Sequence, residues 1–64
     1  MTSAQRAYLL YLATGDRLHL FEARVTALTA DACLRRGWTR EIESGGYNGR
    51  EITGAGRTAL LRHN

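Results

Sequence analysis

The side chains best suited to chemistry in this sequence are its arginines, which make up all nine basic residues. Residues 1–33 carry three arginines and three acidic residues, whereas residues 34–64 carry six arginines and three glutamates. The whole formal charge of +3 therefore belongs to the second half of the chain. Because guanidinium groups bind phosphates and base edges well, this distribution favours a polyanionic partner. The alternative is that these arginines form a solvated surface without a ligand.

The sequence offers no set of residues for catalysis or for a metal centre. With one cysteine, Cys33, an internal disulfide or a Cys/His metal cluster is not expected, and a buried core thiol is the predicted role. His19 has no nearby Ser, Cys or second His with which to form a nucleophile–base pair. So short a chain buries only ~60% of its unfolded surface, which leaves little room for a substrate cavity. We therefore expect a protein that is not an enzyme and uses no cofactor.

The sequence also predicts where the protein works. Its longest strongly apolar stretch, residues 7–13, is far shorter than the ~20 residues that span a bilayer. The first residues carry one positive charge and are followed by no cleavage-type sequence, so a secretion signal is not expected. We therefore expect a single domain over residues 1–64, in the cytoplasm and without membrane contacts.

Local elements must position the arginines, and the first of them is a helix that begins after Thr2. Thr2 and Gln5 form a capping-box pattern, with a threonine followed three residues later by a glutamine. The helix is expected to run to about Thr14, where Gly15 stops it. Its expected apolar face consists of Ala4, Tyr8, Leu9, Tyr11 and Leu12.

The segment that follows a turn at residues 15–17 allows more than one structure. Leu18-His19-Leu20 alternates as a short strand does, with His19 pointing outward. Residues 21–36 keep a helical period and form either one helix of about 15 residues or two shorter ones. In the second case the break falls at Leu28–Thr29, and Thr29 caps the second helix.

A hairpin is predicted next. Residues 34–38 have the basic last turn and the glycine of a helix C-terminus. Strands at about residues 38–43 and 50–53 then pair, and we favour a wide loop over a two-residue turn at Asn48-Gly49. Trp38 is expected to anchor the hairpin on the last helix. Alternation predicts two faces, one with Trp38, Arg40 and Ile42 and the other with Thr39, Glu41 and Glu43.

The last predicted element is a helix with Thr53 as its cap. It is expected to bury Ala55, Ala59 and Leu60. Gly56 would allow the hairpin or the first helix to approach closely. The guanidinium groups of this helix, on Arg57 and Arg62, are expected to point outward.

This order of helix, glycine, strand, turn, strand and helix resembles the C-terminal half of bacterial winged helix-turn-helix domains. Those domains often carry a segment similar to L-x-R-G-W before the wing and one similar to I-T-x-x-G-R-x-A-L after it. The matching residues here are Leu34, Arg36, Gly37 and Trp38, followed by Ile52, Thr53, Gly56, Arg57, Ala59 and Leu60. The resemblance implies an α+β fold, a small winged-helix domain with three helical segments, a two-stranded wing hairpin and optionally a short third strand.

The resemblance further implies a small DNA-binding protein, a transcription regulator of the type found in phages and mobile elements. A short recognition helix would lie in the major groove of duplex DNA, with Arg35 and Arg36 on phosphates or guanine edges. A basic wing would reach the backbone or the minor groove. The candidate nucleic-acid-binding residues are Thr29, Arg35, Arg36, Arg40, Tyr47, Asn48 and Arg50.

A second hypothesis belongs to a different functional class. The winged-helix scaffold also suits a small accessory protein that binds a host protein and inhibits or redirects it, because a fold does not decide a function. For the DNA hypothesis, a two-fold homodimer would be needed to obtain useful affinity from so small a footprint. Salt separates the two hypotheses, since only duplex binding should weaken steeply as salt rises.

Overall fold

A computed structural model describes residues 1–19 and 27–62, with the backbone alone for residues 44, 47 and 48. Its elements lie in the order helix, helix, strand, strand, helix, which confirms the predicted α+β class with a two-stranded antiparallel hairpin. The elements are α1 (Ser3–Thr14), α2 (Ala27–Arg35), β1 (Thr39–Ser44), β2 (Tyr47–Ile52) and α3 (Gly54–Arg62).

Helix α1 is the element around which the others pack. The capping box is present as predicted, with the Gln5 amide N–H donating to the Thr2 hydroxyl and the Thr2 amide donating to Gln5 Oε1. Gly15 ends the helix in the left-handed conformation at φ 73°. Helix α1 contacts α2, α3 and β2. Because it is covered from several sides, its buried arc is wider than predicted and is centred on Ala7, Tyr8 and Leu9.

A short strand was predicted at residues 18–20, and this prediction is wrong for residues 18 and 19, the two that the structure describes. Leu18 and His19 are helical, while Leu20 lies outside the described residues. The cause is Asp16, whose carboxylate accepts a hydrogen bond from the Leu18 amide at 2.9 Å, as a helix cap does. His19 is half-buried rather than pointing into solvent, and its Nδ1 is buried without a hydrogen-bond partner among the described residues.

Helix α2 does not break at Leu28–Thr29, so Thr29 lies inside the helix and does not cap it. Whether residues 21–26 continue this helix is a question outside the described residues. The predicted C-terminus is confirmed, because the Trp38 amide donates to the Cys33 carbonyl and the Gly37 amide to the Leu34 carbonyl. With Gly37 at φ 76°, these two bonds form a Schellman motif.

The hairpin turn is tighter than the loop that we favoured from sequence. Ser44 pairs with Tyr47, which leaves only Gly45 and Gly46 in the turn, at φ 58° and 84°. Positive φ at both positions is the conformation that matches the right-handed twist of two paired strands, and glycine adopts it without strain. Asn48 and Gly49 are therefore strand residues rather than turn residues.

The face of the hairpin that meets the core starts with Thr39 rather than with Trp38. Thr39 and Ile52 are cross-strand partners, and both are buried. Trp38 precedes β1 and packs half-buried against the core cluster, which is consistent with its predicted role as an anchor. Because side chains alternate along a strand, Glu41 and its partner Arg50 share the Thr39 face.

Helix α3 begins in contact with the base of the hairpin. The Thr53 hydroxyl accepts from the Gly56 amide at 3.1 Å and donates to the Gly37 carbonyl at 2.6 Å, so the predicted cap also bonds the end of α2. Gly56 is buried, whereas Ala55 is exposed, contrary to prediction, and Ala59 and Leu60 are half-buried. No helix in the described part of the chain is long and apolar enough to cross a membrane.

Replacing Gly56 by a residue with a side chain should destabilise the fold, whereas replacing Gly54 in the same helix should be tolerated. A Cβ on Gly56 would collide with the Trp38 carbonyl oxygen and lie 2.7 Å from Ile52 Cγ1, while a Cβ on Gly54 would meet nothing within 4 Å. Gly56→Ala should therefore destabilise the protein by about 3 kcal/mol. Gly54→Ala should raise stability by ~0.4–1 kcal/mol, because it restricts only the unfolded chain. Urea denaturation of both variants tests this pair, and equal midpoints would contradict the close approach.

The burial of Cys33 leads us to expect a loss of stability at alkaline pH. Burial raises the pKa of this thiol above its ordinary value of 9.0, so the unfolded chain loses the proton first. The stabilising contribution is complete below 9.0 and is lost as pH rises through the higher pKa of the folded state. Denaturant titrations at a series of pH values should show a steeper decline for the parent than for Cys33→Ala. Parallel declines would mean that the thiol is accessible in the folded protein.

Candidate nucleic-acid interface

The outward face of α2 carries Leu28, Asp31 and Arg35, spaced three and four residues apart and all exposed. The opposite face is anchored, because Cys33 is fully buried and Ala30 packs against the core cluster. Thr29, a predicted site residue, is half-buried in the first turn of the helix. These three positions of α2 therefore present one apolar, one acidic and one basic side chain to solvent from a fixed backbone.

Arg36 follows α2 and is held by an aromatic ring. Its guanidinium carbon lies 5.3 Å from the centre of the Trp38 ring, a cation–π arrangement. The Arg36 side chain is exposed, and neither it nor Arg35 has an ion-pair partner within residues 1–19 and 27–62. Stacking leaves the edge of a guanidinium free to donate hydrogen bonds in its own plane. Arg35 and Arg36 thus place two available cations next to each other.

Arg50 is engaged inside the domain, unlike the exposed phosphate ligand that the sequence suggested. Its Nη2 donates to Asp31 Oδ1 at 3.4 Å and lies 3.7 Å from Glu41 Oε1, and 26% of the side chain is exposed. Partial burial lowers the pKa of Arg50, but interactions with Tyr8 and Asp31 raise the pKa by more, so its net direction is upward and the guanidinium stays charged. Arg50 therefore joins the hairpin to α1 and α2.

The remaining arginine of the hairpin is paired as well. Arg40 forms a salt bridge with Glu51, its cross-strand partner, on the face that points away from the core. In residues 39–52, two arginines against three glutamates give a net charge of −1. The prediction of a basic wing is therefore wrong. The surplus positive charge of the second half belongs to four arginines on or next to helices, namely Arg35, Arg36, Arg57 and Arg62.

Tyr47 and Asn48 begin β2, where their backbones pair with Ser44 and Glu43. The structure describes the backbone alone for these two residues, so the contacts predicted for their side chains lie outside the described part. Both residues lie beside the turn, at the tip of the hairpin. In sequence they are more than ten positions from Arg35 and Arg36.

Two residues near the arginines were missed by the sequence analysis. Asp31 holds Arg50 across 19 positions of the sequence. Gln5 joins Ala32, Arg35 and Arg36 in lining a shallow concavity between the start of α1 and the end of α2. No local pattern could have revealed either residue, because both roles depend on how separate elements pack. Among the described residues, no group of three or more His, Cys, Asp or Glu side chains could hold a metal ion.

Comparisons with protein-family models, with curated proteins and with solved structures find no match for this chain.

Removing Arg50 should change stability more than removing an exposed arginine does. Arg50→Met keeps most of the side-chain stem but deletes the contacts to Asp31 and Glu41, whereas Arg57→Met deletes an exposed charge. A double-mutant cycle with Asp31→Asn should give a coupling of ~0.2–1 kcal/mol, the range for partly exposed pairs. Thermal melts of the four proteins of the cycle measure it. If Arg50→Met melts like Arg57→Met, Arg50 does not hold the hairpin.

Proposed function

We propose that this chain is a small duplex-DNA-binding protein, and that α2 is its recognition helix. The observation that carries the proposal is the pair of exposed arginines, Arg35 and Arg36, which lack an ion-pair partner among the described residues, whereas the hairpin arginines are paired. A cation that already has a carboxylate partner must lose it before it binds phosphate, which costs free energy. Arg35 and Arg36 bear no such cost, so the end of α2 attracts a phosphate backbone more readily than the hairpin does.

The shape of α2 supports the same proposal. An α-helix with its side chains is about 10–12 Å across, which suits the major groove of B-DNA, ~12 Å wide, and the nine residues of α2 give it a length of about 13.5 Å. The exposed face of α2 offers Leu28 for a thymine methyl group and Arg35 for a guanine edge or a phosphate. In this arrangement the hairpin supports α2 from the side through Arg50. Its net charge of −1 gives it little attraction of its own for phosphates.

The biological role proposed with this interface is that of a cytoplasmic transcription regulator of the phage or mobile-element type. One nine-residue helix contacts few base pairs, so a single copy gains little specific affinity. A two-fold homodimer would place two copies of α2 on successive turns of the duplex and double the contacts. We include the homodimer in the proposal for that reason.

A second candidate function is supported by exposed apolar side chains. Leu18, Leu28 and Leu61 are 70%, 79% and 83% exposed. Leu28 lies on the same face of α2 as Arg35, and an apolar side chain beside a charged one is common where proteins bind each other. This pattern favours a protein partner, such as a host protein that the chain inhibits or redirects, over a solvated surface without function.

A salt titration separates the two candidates. Fluorescence anisotropy with a labelled duplex should show log K falling linearly with log salt, and Arg35→Ala should reduce the slope by about 0.9 for the phosphate contact that it loses. The matched control is Arg57→Ala, which removes an exposed arginine of α3 and should leave more of the slope intact.

Three results would contradict the DNA interface. Equal losses in Arg35→Ala and Arg57→Ala would indicate general attraction to a basic chain rather than binding through α2. Binding that ignores salt would exclude phosphate contacts as its source. An absence of duplex binding would leave the protein-partner function as the remaining candidate.

A further inference from the structure

The concavity between the start of α1 and the end of α2 has the donors needed to hold an anionic group. Gln5, Ala32, Arg35 and Arg36 line it, so two arginines and one glutamine border the concavity. No acidic side chain of the described residues belongs to this lining. From this geometry we infer that the concavity, hereafter the Gln5 pocket, binds one backbone phosphate of duplex DNA. The inference rests on the proposed function and adds Gln5 and α1 to the interface.

The orientation of the Gln5 amide is fixed by the capping box. Gln5 Oε1 accepts from the Thr2 amide at 2.9 Å, so its acceptor atom is already used. Gln5 Nε2 has no hydrogen-bond partner among the described residues, and the residue is half-buried. An amide held in this way offers only its N–H groups to a ligand. Because it is held before the ligand arrives, little side-chain entropy is lost on binding.

The stack of Arg36 on Trp38 positions a second donor group. The ring, 5.3 Å from the guanidinium carbon, restricts the directions that this long side chain can take. Trp38 is itself packed against the core cluster, so the restriction is transmitted from a fixed part of the domain. The planar edge of the guanidinium then matches two oxygens of a phosphate.

The position of the pocket at a helix C-terminus would ordinarily oppose an anion, because free carbonyl groups carry negative partial charge there. Here three of the last four carbonyls of α2 are occupied. The Schellman motif uses those of Cys33 and Leu34, and the Arg36 amide donates to that of Ala32. With those carbonyls engaged and Arg35 and Arg36 beside them, the local field favours an anion. The start of α1 adds positive potential from its own dipole.

The decisive variant is Gln5→Glu. A glutamate completes a capping box as well as a glutamine does, and it suits the first turn of a helix, so the fold is kept. The substitution replaces the donor Nε2 with a carboxylate oxygen at the same place, which repels a phosphate. The matched control is Ser3→Glu, which adds the same charge to the same exposed turn but lies outside the lining of the pocket.

We expect Gln5→Glu to bind a labelled random duplex on the order of tenfold more weakly than Ser3→Glu, while melting at or above the temperature of the parent. Loss of affinity without loss of stability is a combination that a purely structural role of Gln5 would not produce. Combining Gln5→Glu with Arg36→Ala should cost less than the product of the two separate losses, because both changes act on one phosphate.

The outcomes separate the pocket from the proposed function. If the parent binds duplex with the expected salt dependence but Gln5→Glu equals Ser3→Glu, the Gln5 pocket is overturned and the α2 interface stands. The pocket is likewise overturned if the double variant loses as much affinity as the product of the two single losses, because the two residues would then act independently. If the parent binds no duplex at all, the proposed function fails and the pocket inference fails with it.

Discussion

A close contact between Gly56 and the backbone of Trp38 joins the last helix to the hairpin. It brings the first turn of α3 against the base of the hairpin, where any side chain at position 56 would collide. Thr53 completes the junction, because its hydroxyl bonds both the Gly37 carbonyl and the Gly56 amide, and its own amide donates to the Trp38 carbonyl. The end of α2, both strands and the start of α3 are thus joined within a few residues.

From that junction the hairpin extends outward, and contacts at two positions along it fix its orientation. Thr39 and Ile52 are buried at its base, and Arg50 bonds Asp31 of α2 further along. An element fixed at both points cannot rotate about its own base without breaking a contact. The hairpin therefore supports α2 mechanically, through a contact with Asp31 on the outward face of the helix. Both arginines of the hairpin form ion pairs with carboxylates of the domain.

The distribution of available charge follows from this architecture. Antiparallel pairing places Arg40 opposite Glu51, and packing against α2 brings Arg50 to Asp31, so neither hairpin arginine is left without a carboxylate. Arg35 and Arg36 follow the last buried residue of α2 and project from its end. The positive charge that a linear count assigns to the second half of the chain is thus concentrated at helix ends. That concentration is what makes the end of α2, rather than the hairpin, the proposed contact for phosphates.

Features that depend on a few neighbouring residues could be predicted from the amino-acid sequence. The cap formed by Thr2 and Gln5, the stops at Gly15 and Gly37 and the cap at Thr53 were all predictable, because each involves groups no more than five positions apart. The class of the fold followed from them. Their interactions are largely complete before any distant contact is made, so local pattern suffices.

The surface that each element buries, and the arginines that remain available, depend on how the elements pack together. The turn at Gly45-Gly46 was chosen over Asn48-Gly49 by a register that buries Thr39 and Ile52 together. The pairing of Arg50 with Asp31 joins residues 19 positions apart, and the Gln5 pocket joins the two ends of separate helices. Such contacts depend on the packing of whole elements against α1. The free energy that selects them comes from burial, which is a property of the assembled core and not of any short stretch of sequence.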